Sequence, residues 1–444
     1  MCRKKFISIF LVLGFLLTIS SAWATEYHVS ISGNDTKGKG SKGKPWRTIA
    51  YALSKIKGGD IITIHEGTYY EYNLQVRSLG TDGSPTIIRS ASGESVTVDG
   101  MQDKFSKFYV ITIKAANYVT ISGLRITGGG IGGNIHIGYS RQPCTYISIE
   151  NCEIWNGGKG LGPKNPSIIR FNHTKHCSIK NCKIFGYGPE NTDRSGIKIW
   201  RGTSFLTIDH NEVFGLGGKG IDNKHGGPNK YLTLTNNYVH DIGSHGINLN
   251  GDHSKVENNL IINCKGSALC VWRESGGPGG SYSLINHNTF VNSGSVSLGT
   301  TGTSKLTSCK FTNNLIINCG GRNLPGLTIT PYRKVPYDHK HIIDYNCYYN
   351  SRYEEVVRDR DDVLYTLPDW QKISGQDMHS AQANPDFIKL SRKYSPVCNY
   401  RVSQTSAAYR SASDGKDMGA DVNLVFGGPC PQRTPVNLTI KTVQ

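Results

Sequence analysis

Acid is what this chain lacks first: 33 Asp and Glu stand against 50 Lys and Arg, a formal charge of +17 at neutral pH. An excess of that sign suits a polyanionic partner, whether acidic polysaccharide, nucleic acid or an anionic surface. No C-x-x-C pair occurs among the 12 cysteines, and "CSIKNC" lacks the His/Cys partners a structural zinc site needs, which excludes the zinc-ribbon classes. Beyond the first residues no apolar run approaches the roughly 20 residues of a membrane-spanning helix. No recognisable nucleic-acid-binding module is present, so nucleic acid is not the expected partner.

The exceptional apolar stretch, "FISIFLVLGFLLTI", follows Arg3, Lys4 and Lys5 and precedes small residues at Ala22 and Ala24. That is the form of a secretory signal peptide over residues 1–24, cleaved after Ala24. The leader carries three basic residues and no acid, so its loss brings the charge from +17 to +14. A secreted, monomeric protein is expected, with one or two structural disulfides permitted by an oxidising compartment. The 11 cysteines left once Cys2 departs cannot all pair within one chain.

A repeat emerges when the middle of the chain is cut at its asparagines. The phrases "VTISGLRI", "ISIENCEI", "CSIKNCKI", "LTIDHNEV", "LTLTNNYV", "SKVENNLI", "SLINHNTF", "KFTNNLII" and "IIDYNCYY" align at Ile126, Ile154, Ile184, Val213, Val239, Ile261, Phe290, Ile316 and Tyr348, in steps of 22 to 32 residues. Each phrase alternates apolar and polar residues with period two, and no helical segment separates them. This predicts an all-β parallel β-helix, one coil per repeat. Asn211, Asn237, Asn259, Asn288, Asn314 and Asn346 then share one position on successive coils, where amides can donate to one neighbour and accept from the other. Cys152 and Cys182 occupy that position earlier, as buried ladder members or as a disulfide where geometry allows. The segment "PWRTIAYALSKIKGGDIITIHEGTYYE" predicts a capping helix from about Trp46 to Lys57, a Gly-Gly turn and a strand. Residues 25–115 are thus the N-terminal cap and first coils, 116–350 the main coils, and 351–444 an irregular C-terminal cap or excursion with a tail.

A second strand per coil aligns "GIKIWRG", "GIDNKHG", "GINLNGD" and "ALCVWRE". Ile197, Ile221, Ile247 and Leu269 form one inward column; Ile199, Leu249 and Val271 form another, interrupted by Asn223. Strand alternation puts the intervening residues outside. One outer column holds Lys198, Asp222, Asn248 and Cys270, with His136 and Ser297 on flanking coils. The next holds Trp200, Lys224, Asn250 and Trp272, followed by Arg201, His225 and Arg273, then Asp252 and Glu274. Aromatic platforms among cations suit sugar rings bearing carboxylates or sulfates. An acidic polysaccharide is the expected partner, along a groove about four coils long, roughly 15–20 Å at the spacing of paired strands.

The asparagine-marked coils, the entry "GGDIITIHEGTYYE" and the tail "LYTLPDWQKISGQDMHSAQANPDFI … DMGADV" resemble secreted right-handed β-helix proteins of the pectate-lyase-like superfamily, over nearly the whole chain after the leader. That resemblance implies a right-handed parallel β-helix and an activity on acidic polysaccharides. Locally, "GIDNKHG … GINLNGDH" is similar to the alginate lyase and chondroitinase B family, in which a lysine takes the proton, an arginine assists the leaving oxygen and calcium is held by acidic and amide side chains. Lys224 falls on that lysine, whereas Asn250 stands in the arginine's place and Gly218 and Lys219 replace the acidic residues before the lysine. Set beside the pectate lyases that use an Asp cluster and a later lysine, Lys198 here precedes Asp222.

Elimination across a uronate needs a base for the proton alpha to the carboxylate and positive charge for the dianionic intermediate. Lys224 is the first candidate base and Lys198 the second. Arg201 or Arg273 would neutralise the substrate carboxylate, and His225 or His245 would protonate the leaving oxygen. Trp200, Trp272, Asn248, Asn250 and His136 complete the substrate contacts. Asp222, Asp252 and Glu274 are the candidates for Ca²⁺. Two alternatives stay open: hydrolysis or epimerisation through acids ("NTDRSG" and "GSHG" resemble polygalacturonase motifs at Asp193, Asp222 and His245, with Asp252 and Glu274 as another pair), and a binder without catalysis.

Overall fold

The computed structural model describes residues 24–426 and 428, apart from 78, 102–107, 131, 158–165, 187–194, 224–228, 274–279, 301–305, 321–326, 330–339, 360–362 and 388–396; at 272, 273, 300, 327–329 and 426 it describes the backbone alone. The described strands form three sheets of 13, 12 and 12 strands. Their pairings are parallel except between Val357–Arg358 and Leu364–Tyr365. Each coil passes from the second sheet to the first and then the third, as in Ser195–Ile199, Thr207–Asp209 and Glu212–Leu216. The result is an all-β, right-handed parallel β-solenoid.

The repeat positions read from the sequence are its rungs. Ile126 pairs with Ile154, Ile154 with Ile184, Ile184 with Val213 and Val213 with Val239, and so on to Tyr348. Nearly all these side chains are fully buried; each such aliphatic side chain contributes about 1.5–3 kcal/mol of burial. The corner between the first and third sheets holds a residue in the left-handed region on coil after coil, among them Asn151, Asn181, Asn236, Asn258 and Asn313, the non-glycine type that best tolerates it.

The next residue forms the ladder. The Nδ2 of Asn211, Asn237, Asn259, Asn288 and Asn314 each donates to the Oδ1 of the following asparagine at 2.9–3.1 Å. Their backbone amides donate to the same oxygens. Cys152 and Cys182 continue it as free, buried thiols, the Cys152 amide meeting the Cys182 sulfur at 3.4 Å; the disulfide option at this pair is not realised. Cys398 is disulfide-bonded.

The capping helix covers Ile49–Lys55, shorter than the Trp46–Lys57 expected. Its start is delayed because Asp35 Oδ1 captures the amides of Arg47 and Thr48 and Thr48 serves as N-cap. Glu71 then accepts the amides of Ile49 and Ala50, both at 2.8 Å, satisfying donors that a helix start leaves open. At the other end the helix Leu367–Ser374 inserts Trp370, whose Nε1 donates to Asp377. Asp377 also accepts from Asn346 Nδ2, so this cap terminates the amide ladder. The third sheet's outer face carries Leu260, Ile262, Val291, Leu315 and Ile317, which pack beneath Phe387, Tyr400, Val402 and Met418 of the C-terminal segment.

Candidate functional site

The outer face of the second sheet carries one unbroken polar column. In register run Gln75, Thr112, His136, Arg170, Lys198, Asp222, Asn248, Cys270 and Ser297. The inward column Ile197, Ile221, Ile247 and Leu269 lies behind it as expected, and Asn223 does oppose Ile199. Asn223 is buried, its Oδ1 accepting from Asn229 Nδ2 at 2.6 Å. Arg170 was missed by the sequence alignment; "SIIRF" carries the signal, with Ile169 and Phe171 buried on either side of it.

The column centres on Asp222, which is 2% exposed. Its oxygens lie 3.1 Å from Lys219 Nζ and 3.7 Å from Lys198 Nζ, and Asn248 Nδ2 donates to it at 2.9 Å. Burial pushes the Asp222 carboxyl up, but the charges of Lys219 and Lys198 and the bonds from Asn248 and Lys219 outweigh it and hold the carboxyl below its ordinary range. Lys198 is 1% exposed, and the nearby Asp222 carboxylate helps offset the cost of burying its ammonium. Lys219 is the more accessible partner, its side chain 27% exposed. Sequence reasoning noted it only as a departure from a family pattern; lying three residues before Asp222, it reaches the same carboxylate.

His245 Nδ1 accepts the Ser267 amide at 3.0 Å, which places the proton of the neutral ring on Nε2. Burial and then Lys219 lower the His245 pKa, against an opposing pull from Asp222. Burial pushes the Cys270 thiol up to about 11, so it is protonated at neutral pH. His136 is enclosed between Tyr139, stacked at 4.2 Å, and Tyr109, edge-on at 4.7 Å. Among the described residues neither of its ring nitrogens has a hydrogen-bond partner in good geometry. Burial, then Arg170, depress its pKa to about 3.

Trp200 is half-buried, with the Arg170 guanidinium 5.6 Å from its ring. Arg201 is exposed, and Asn250 is buried just past the strand that ends at Leu249. Trp272 and Arg273 lie on Ser267–Arg273, paired with Gly299 and Thr300. Lys224, His225, Asp193 and Glu274 lie outside the described residues. The donors that are described do not fit calcium: Asp222 already faces two ammonium groups and an amide donor, which would repel a divalent cation. Asp252 is committed to the Ser281 amide at 3.0 Å.

Residues 27–186 match a family model described as Pel9A-like, right handed beta helix region, and residues 225–350 one described as right handed beta helix region. The chain is a right-handed parallel β-helix protein whose first part is similar to the Pel9A-like region. Its structure is similar to that of pectate lyase Pel9A, with a TM-score of 0.61 and 13% identity over 90% of this chain and 96% of that one. Over 101 residues it is 38% identical to the uncharacterised protein YwoF of Bacillus subtilis, and over 87 residues 31% identical to pectate lyase PEL9 of Emericella nidulans. These matches cover 22% and 19% of this chain and about a fifth (21%) of each relative's length.

Proposed function

We propose that the chain is an exported polysaccharide lyase that cleaves a uronate-containing polymer by β-elimination on the outer face of the second sheet. The carrying observation is the Lys198–Asp222–Lys219 cluster, two ammonium groups on one buried carboxylate. It leaves net positive charge where the substrate's carboxylate must gather a second negative charge in the transition state. Lys219 and Arg201 face the substrate carboxylate, and Lys198 acts from beneath by fixing Asp222. Lys224, two residues past Asp222, removes the proton alpha to the carboxylate as the general base. The electron pair moves to form the C4–C5 double bond as the glycosidic oxygen leaves C4. His245, with its proton on Nε2, supplies the donor for that oxygen. Trp200, with Arg170 against it, offers a platform on which a sugar ring rests; Trp272 is the second candidate for such a contact.

Hydrolysis fits less well. Two carboxyl groups must flank the scissile bond, whereas the Asp222 carboxyl is held ionised between two lysines and is a poor proton donor. The test is near-ultraviolet absorbance of the unsaturated uronate product on pectate, alginate and chondroitin. A rise with one polymer, lost on Lys224→Ala and reduced at least tenfold by Lys219→Ala, is expected. New reducing ends without absorbance would replace elimination by hydrolysis.

A further inference from the structure

A second feature runs along the solenoid on a different face. At the corner entering the first sheet, Tyr118, Tyr146, His176, Phe205, Tyr231, His253 and Tyr282 form a row on successive coils, stacked apart from the tilted Tyr231–His253 pair, with ring centroids 4.4–5.3 Å apart. All seven adopt left-handed backbone, φ 51–57°. That conformation alone would favour Asn, as at the corner between the first and third sheets, so the backbone does not explain the choice of aromatics. Nor does the core: Tyr146, Phe205 and Tyr231 are 43–44% exposed and Tyr282 is 54% exposed. Their flat faces are taken up by one another, and a row of ring edges, phenol hydroxyls and imidazole nitrogens is left facing outward. Beside this row lies an open trough of about 560 Å³ with Ser178, Thr207 and Thr233 along it, a hydroxyl column in strand register. Exposed Lys175 and Lys230 stand one position before His176 and Tyr231.

We infer that this aromatic row and its trough are a second binding surface, separate from the catalytic column, for the acidic polysaccharide itself, which lies along the solenoid axis. A polymer with regularly spaced hydroxyls meets Ser178, Thr207 and Thr233 on three successive coils, beside the polar edges of His176 and Tyr231. Lysines supply the complementary charge on a chain whose formal charge is +17. The polymer class rests on the proposed function; the surface does not. Its purpose is to hold the enzyme on an extended or insoluble substrate.

The test is co-sedimentation with calcium-gelled pectate and alginate and with immobilised chondroitin sulfate, using the full chain. Lys224→Ala, which removes the proposed base, is the background in which retention is measured. Adding Phe205→Asn, Tyr231→Asn and Tyr282→Asn keeps a residue suited to left-handed backbone, and circular dichroism confirms the fold. Retention is expected to fall at least tenfold on the polymer that the wild type cleaves. Undiminished retention by the folded triple variant, or row-dependent capture of neutral vesicles or protein rather than polymer, overturns the inference. Row-dependent retention on a polymer that the wild type does not cleave upholds the surface and sinks the lyase reading alone.

Discussion

Lys198 is an enclosed cation of the column, 1% exposed and 3.7 Å from the Asp222 carboxylate. Replacing Asp222 by Asn keeps the shape but takes a carboxylate away from a buried ammonium. Breaking a buried pair in this way costs about 3–5 kcal/mol. Chemical denaturation of Asp222→Asn should show a loss of that order, and Lys198→Met on top of it should recover most of the loss. A single variant as stable as the wild type would mean that another group neutralises Lys198. The pH dependence has two windows. Because the Asp222 carboxyl is depressed in the fold, its contribution is complete above the unfolded value near 3.9 and is lost only as pH falls through the lower folded value. His136 acts earlier. Its folded pKa of about 3 lies below the unfolded value near 6.5, so the unfolded chain binds the extra proton. Stability therefore falls by up to about 1.4 kcal/mol per pH unit below 6.5. His136→Phe, which keeps a ring between the two tyrosines, should flatten the dependence of the denaturation midpoint between pH 6.5 and 4.5. An unchanged slope would place the acid sensitivity elsewhere.

Among the elements, the amide ladder binds coil to coil most directly. Asn259 Nδ2 donates to Asn288 Oδ1, Leu234 O and Glu257 O, while its Oδ1 accepts two donors from Asn237. Asn259→Ala strands these groups in a dry interior, and a cost of about 3 kcal/mol is expected from unpaired buried groups and the cavity together. Asn259→Asp should be at least as harmful, since a carboxylate accepts but cannot donate. Measuring Asn259→Ala, Asn288→Ala and their combination would show non-additivity, because one hydrogen bond joins the two sites. A strictly additive pair would mean that the ladder is a row of independent contacts. This ladder was legible in the sequence because its physics is periodic: an apolar residue every second position and one amide per coil leave a pattern without any knowledge of contacts. The outer polar column was legible for the same reason, including the flanking places of His136 and Ser297. What that pattern could not reveal was burial. Alternation placed Lys198 and His136 on the outside, yet both are enclosed, because burial of an outward side chain depends on groups distant in sequence. The aromatic row escaped because the alignment was anchored on the β-branched positions, and the rings stand just ahead of them. Arg170 escaped because its coil has Ile168 where the aligned coils carry a glycine or, at Ala268, an alanine.

On the scale of the molecule, a solenoid is held by nearest-neighbour contacts, so its weak places are its two ends and any apolar flank. The helix Ile49–Lys55 closes the first end and Trp370 with Asp377 the second. The flank is the third sheet, where Leu260, Ile262, Val291, Leu315 and Ile317 project outward in a continuous apolar strip. The C-terminal segment covers it and is fastened polar group by polar group. The Asp421 amide donates to Asn258, the Gly419 amide to the Asn313 carbonyl at 2.7 Å, the Ala420 amide to Thr289 at 2.9 Å and the Ser413 amide to Asn313 at 2.8 Å. Asn258 and Asn313 are corner residues of the coils, so the same left-handed corner that turns the chain also anchors the segment. Removing everything after Asp386 would leave both end caps in place and uncover the strip. The contacts between successive coils would survive, so far-ultraviolet circular dichroism should stay close to that of the full chain. The exposed strip should instead bind hydrophobic dyes and drive self-association, since a contiguous apolar patch on a soluble surface seeks a partner. Sedimentation at increasing concentration is the decisive measurement. A truncated chain that stays monomeric and binds no dye would show that the segment is a passenger on the third sheet; concentration-dependent association would establish it as the cover that keeps the solenoid separate from its copies.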